Sequence, residues 1–237
     1  DLGWGNDPAQ GAYNYDVLDR TAWEGRAVDY GMYRTLFWAG DEQSLTREQR
    51  DDLRNYLATG TARVKHNLAI SSQGVVRQHT GTAIIQDKAF VNTVLRAENA
   101  APGTPAQPNY DNKRIVGQAV ARGTEEVVRS TGIAGDNAPV PALMTLYSDA
   151  QTSGIALSAY TYRAGDRQTV QDVAGTATAS LTSNVVYLGI DWRHFQRTNN
   201  FKGIEGVTRG ILDFFEENGG TVVPVELTGF DAKARRT

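Results

Sequence analysis

The chain has 237 residues, no cysteine, 24 basic against 27 acidic side chains and a formal net charge of −3. Such a length suits one large domain with its own core. The missing cysteines exclude disulfides, thiol nucleophiles and zinc–thiolate sites, and the near-neutral charge argues against a polyanion-binding protein, so no nucleic-acid partner is expected.

Residues 1–43 read as an extended arm. They carry Trp4, Tyr13, Tyr15, Trp23, Tyr30, Tyr33, Phe37 and Trp38, eight of the chain's 21 aromatic side chains. Glycines at 3, 5, 11, 25, 31 and 40 interrupt them, which leaves room for a helical turn or two around Tyr30–Trp38 and no more. Amphipathic rings on a glycine-broken backbone suit a segment laid across another surface, the chain's own body or a neighbouring subunit. The first 60 residues hold 11 acids against 6 bases.

Residues 44–227 are expected to form a single α+β domain. Thr46 and Gln49 make a capping-box pattern, and Leu53, Leu57, Val64 and Leu68 follow at helical spacing, with a kink or split at Gly60-Thr61. His66 then falls among polar neighbours on that helix, as a surface histidine. Val75-Val76 and Ala83-Ile84-Ile85 suit short strands, while Phe90, Val91, Val94 and Leu95 fit a helical spacing. Residues 99–112 are a proline-rich loop. Ile115, Val116, Ala119, Val120, Val127 and Val128 predict a second helix ended by Gly132, and a loop covers 133–141.

From residue 141 onward strands dominate. Pro141–Tyr147 leads to Ser153–Arg163, Ala164-Gly165-Asp166 turns the chain, and Thr169–Ser180 returns. Val185–Trp192 is the most strand-like stretch. A third helix spans about Phe201–Glu217 with Ile204, Val207, Ile211 and Phe215 inward. Thr221–Leu227 closes as a strand whose Pro224 suits an edge, and residues 228–237 form a tail. Gathered together, these elements predict an antiparallel meander, mostly residues 140–192 plus 221–227, against two or three helices. One sheet face would carry Tyr160, Tyr162 and Arg163 toward solvent or a partner.

Chemistry has few candidates. His66, His79 and His194 are isolated, and no metal-ligand spacing occurs, so no metal and no cofactor is expected. Asp191-Trp192-Arg193-His194 is the most suggestive cluster. An Asp ending a strand could orient His194 as a general base for hydrolysis, or it could cap the turn and pair with Arg193 or Arg197. No G-x-S-x-G elbow is present. Gly203-Ile204-Glu205-Gly206 lacks the Lys-Ser/Thr of a phosphate loop, and Gly206 and Gly210 more simply allow close packing. A third reading makes Tyr147, Tyr160, Tyr162 and Trp192 a platform for a sugar or peptide. The basic tail, Lys233 with Arg235 and Arg236, reads as a subunit contact.

The stretch Gly154–Asn199, a hairpin strand, a small-residue return strand and the Val-Val-Tyr-Leu-Gly core strand, resembles bacterial envelope lipoproteins over under a fifth of the chain. Their lipid-accepting N-terminal Cys is missing, and the resemblance assigns no residue a role. The longest apolar run, Val185–Ile190, is far below the roughly 20 residues of a transmembrane helix. The expectation is therefore a non-enzymatic structural or assembly subunit, joined to copies of itself or to partner proteins through Trp4, Tyr13, Tyr15, Trp23, Tyr30, Tyr33, Trp38, Arg235 and Arg236. An exported, envelope-associated setting is favoured, with a virion as the alternative.

Overall fold

A computed structural model describes residues 29–40, 44–76, 85–99, 114–128, 144–147, 157–163 and 170–220. A short 3-10 turn at Tyr30–Met32 precedes strand β1 (Thr35–Ala39) and helix α1 (Arg47–Ala58). Strand β2 (His66–Ser71) is followed by helix α2 (Ile85–Phe90), which runs into a π-helical turn at Val91–Leu95. Then come β3 (Ala97–Asn99), β4 (Arg114–Gly117), β5 (Glu125–Val128), β6 (Met144–Leu146), β7 (Leu157–Arg163), β8 (Val170–Ala179) and β9 (Ser183–Leu188). A second 3-10 turn, Trp192–His194, leads to β10 (Phe195–Gln196) and helix α3 (Ile204–Glu217).

The sheet is mixed, which corrects the expected antiparallel meander. Its strand order is β1-β2-β9-β8-β7-β4-β5-β10, with β3 and β6 as a side pair attached to β8. β1, β2 and β9 run parallel, with Thr35 opposite Asn67 and His66 opposite Ser183. From β9 to β10 every pairing is antiparallel. Parallel neighbours need a crossover and not a hairpin, and α1 supplies it between β1 and β2.

The sheet divides two cores. Alternation along β2 sends Leu68 and Ile70 toward α1, where Leu53, Tyr56 and Leu57 meet them, and sends Ala69 to the opposite face. β9 does the same, with Val185 and Tyr187 on the α1 side and Val186 and Leu188 on the α3 side. α3 contributes Val207, Ile211, Phe214 and Phe215 to that second core. Each fully buried aliphatic or aromatic side chain contributes about 1.5–3 kcal/mol.

Three local expectations change for identifiable reasons. α1 starts as its capping box specifies, with the Thr46 hydroxyl accepting from Gln49 N and the Gln49 side chain accepting from Thr46 N. It stops at Ala58, and Leu68 belongs to β2, all six of whose residues are buried. A strand buried on both faces shows no alternation, so its apolar residues can coincide with a helical spacing. His66 is consequently buried at the start of β2, stacked on Tyr56 at 4.4 Å with Nδ1 2.6 Å from the Tyr56 carbonyl oxygen.

The second correction falls at 115–128, where a hairpin of β4 and β5 replaces the expected helix. Ala121 and Gly123 take positive φ in its turn, and both strands alternate half-buried with buried residues. The third concerns Val75 and Val76, which are helical where a short strand was expected. Helix α3 and strands β6 to β8 fall within the stretches read for them, with trimmed ends, whereas β9 starts two residues before Val185 and ends at Leu188, short of Trp192. Thr35–Ala39, inside the stretch read as an arm, is the border strand of the sheet among the described residues, with Leu36 and Trp38 on one core and Phe37 on the other. The expected strand at 221–227, the turn at 164–166, most of the loop at 99–112 and the tail lie outside the described residues.

Candidate functional site

In sheets with parallel strands, ligands sit beyond the carboxyl ends, and β1, β2 and β9 end side by side here. Gly40 N donates to Ser71 O, and Ser72 N donates to Leu188 O, continuing both parallel pairings past the strands. Side chains then lace the ends shut. Ser71 Oγ donates to Ile190 O at 2.5 Å, and the Gln73 side-chain oxygen accepts from Asp191 N at 2.9 Å. Tyr187 Oη donates to Ser72 O at 2.9 Å and accepts from Val76 N at 3.1 Å. Ser71, Ser72, Gln73, Val76 and Tyr187 are all buried.

Asp191 and His194 close this end. The Asp191 carboxylate caps the 3-10 turn by accepting from Arg193 N, and it is gripped in bidentate fashion by the Arg193 guanidinium at 2.9–3.1 Å. His194 is fully buried, with its backbone N bonded to Asp191 O. Trp192 packs against Phe37 of β1, ring centroids 5.2 Å apart. Charge-assisted bidentate pairs fix geometry strongly, and a carboxylate so occupied holds a turn in place. The cluster singled out in the sequence is thus brought together as a closure of the parallel strands.

The aromatic platform is not assembled as expected. Tyr160 is 1% exposed and sits under α3, its hydroxyl 3.1 Å from where a Cβ on Gly210 would lie. Burial raises its pKa well above the ordinary phenol range, with the Glu126 charge adding to the effect. This also corrects the expectation that Tyr160 faces solvent or a partner.

Sequence reasoning missed a buried carboxylate, Glu126 on β5. Its Oε2 accepts from Gly203 N at 2.6 Å, and Oε1 lies against Gly206 in the first turn of α3. Helix N-termini present unpaired N–H groups and partial positive charge, so a carboxylate from a neighbouring strand serves as the cap that Gly203 cannot provide. Burial raises the Glu126 pKa, opposed by the Gly203 hydrogen bond and the Lys202 charge and reinforced by Glu205. The signal was present in Gly203, Gly206 and Gly210, whose spacing lets α3 lie against β5 and the hairpin turn.

Of the expected interaction residues, Tyr30, Tyr33 and Trp38 are described. All three are half-buried. Tyr30 and Trp38 pack on the α1-side core, and Tyr30 also lines a groove of about 240 Å³ between the first 3-10 turn and α1, with Asp29, Asp52, Asn55 and Tyr56. Met32, between the tyrosines, is 51% exposed. Trp4, Tyr13, Tyr15, Trp23, Arg235 and Arg236 lie outside the described residues. Among the described residues no helix is long and apolar enough to cross a membrane, and no three His, Cys, Asp or Glu side chains gather as metal ligands.

No protein family and no curated protein matches this sequence. The solved structures that resemble it include a cold-adapted β-galactosidase from Rahnella sp. R3, at TM-score 0.46 and 9% identity over 78% of this chain and 23% of that one, and a β-galactosidase from Bacillus circulans sp. alkalophilus, at TM-score 0.45 and 10% identity over 81% and 23%. The chain spans less than a quarter of the length of either enzyme, and at this level of likeness its function has to be read from its own residues.

Proposed function

We propose that the protein is a non-enzymatic assembly subunit that associates with copies of itself or with partner proteins through its N-terminal aromatic stretch. One observation supports this above the rest. Tyr30, Tyr33, Leu36, Phe37 and Trp38 all stop at half-burial along the border of the sheet, beside the exposed Met32. Aromatic side chains and Met are the residue types that interfaces enrich, and they contribute most where a partner completes their desolvation. The Asp191 carboxylate, which the hydrolase reading needs to orient His194, is instead engaged by the Arg193 guanidinium.

Light scattering coupled to size-exclusion chromatography tests the proposal. The full chain is expected to run as an oligomer, and a form lacking residues 1–28 as a smaller species. That cut spares β1, which the sheet needs. Monomers in both cases would overturn the proposal.

A further inference from the structure

A second pocket, also of about 240 Å³, opens where the last turn of α1, the end of the π-helical turn and the tip of the β8–β9 hairpin meet. Leu57, Val94 and Val185 give it apolar wall, and Thr178 and Thr182 give it hydroxyls. Arg96 is the one charged residue in the lining, and it is only 6% exposed. The Ser180 hydroxyl is spent within the hairpin turn. Among the described residues, no hydrogen bond uses the hydroxyls of Thr178 and Thr182.

Two departures from regular backbone converge on Arg96. The π-helical turn at Val91–Leu95 runs directly into it, and π geometry recurs at functional sites. Arg96 itself is left-handed, at φ 55° and ψ 34°, a conformation that helix ends usually give to Gly. Three hydrogen bonds hold it so. Its N–H donates to Val91 O, its O accepts from Tyr147 N, and the Thr176 hydroxyl donates to the preceding Leu95 O. Strain held this firmly marks places where a particular side chain is required. The carbonyl ends of α1 and of the π-helical turn carry partial negative charge, which accounts for a cation at this spot. It accounts neither for the left-handed backbone nor for the open space beside it.

We propose that this pocket binds a small organic carboxylate. Its charge meets the Arg96 guanidinium and the Thr178 and Thr182 hydroxyls, while a short apolar body lies against Leu57, Val94 and Val185. The guanidinium fork matches a carboxylate in shape and charge, and an apolar wall with a few polar groups is the usual make-up of a ligand pocket. Pockets for drug-sized ligands start at about 300 Å³, so the occupant has only a few carbons. No acidic residue lines the space to repel an anion. None of residues 29–40 lines it either, so the inference stands apart from the assembly proposal.

Titration of the full chain with butyrate, followed in amide NMR spectra, tests the proposal. The Arg96, Thr178 and Thr182 amide signals should shift and saturate with a low-millimolar dissociation constant, the range open to a ligand of about six heavy atoms. Butyramide has the same shape without the charge and should bind about tenfold more weakly, the effect of one charged hydrogen bond. Inorganic phosphate, which lacks the apolar body, should also bind more weakly. Arg96→Gln should bring butyrate down to the level of butyramide. Thr178→Val, a substitution that a strand accommodates, should weaken butyrate severalfold and carries the test if Arg96→Gln does not fold. Four results would overturn the proposal: unmoved signals, equal binding of butyrate and butyramide, phosphate binding as tightly as butyrate, or wild-type affinity in either variant.

Discussion

Glu126 shows how one side chain can link three elements and carry a pH signature. Its carboxylate leaves β5, caps α3 and lies close enough to Tyr160 of β7 to raise the phenol's pKa. Burial lifts its own pKa above the ordinary value of 4.5. The sign follows from proton linkage: a carboxyl that holds its proton more tightly when folded contributes fully below its unfolded pKa and loses that contribution as pH rises through its folded one. Glu126→Gln keeps an acceptor for Gly203 N and removes the buried charge. We expect the melting temperature of the wild type to fall relative to Glu126→Gln as pH rises from 4 to 7, in thermal scans across that range. Gly210 makes a second prediction. A methyl there would run into the Ala121 side chain and press on the Tyr160 hydroxyl, so Gly210→Ala should cost about 1–3 kcal/mol in urea denaturation.

At the scale of elements, legibility followed the source of each signal. α1 could be started to the residue because its first turn is set by two local hydrogen bonds, between Thr46 and Gln49. Thr46→Ala should cost about 1 kcal/mol, read as a drop of about 2–4 °C in melting temperature. α3 was legible from its apolar stripe. β2 was not, since both its faces are buried and the usual alternation is gone. β4 and β5 were misread because Ile115, Val116, Ala119 and Val120 mimic a helical stripe while a positive-φ turn at Ala121–Gly123 folds the segment back. The parallel pairing of β1, β2 and β9 joins strands distant in the chain, and no local pattern announces it. At the candidate site the Asp191–Arg193 pairing was foreseen as an alternative to catalysis. The Glu126 cap was invisible, since it depends on a strand 77 residues before its partner.

At the scale of the whole molecule, β9 joins a parallel half-sheet to an antiparallel one and lends side chains to both cores. Its antiparallel partner β8 is only a short turn away, closed by the Ser180 hydroxyl, which accepts from Thr182 N and Ser183 N. Its parallel partner β2 lies more than a hundred positions nearer the N-terminus, as the Asn67–Asn184 side-chain bond at a separation of 117 shows. The two seams must therefore form on different timescales. The hairpin of β8 and β9 closes a small loop, whereas docking it on β2 pays the chain entropy of a very long one before any reward. Pairings of such sequence separation slow the rate-limiting step, and the exposed flank of β2 would wait unpaired in the meantime, a period in which the nascent protein is open to aggregation. During synthesis this flank would emerge long before its partner, so the interval is set by the ribosome as much as by the fold.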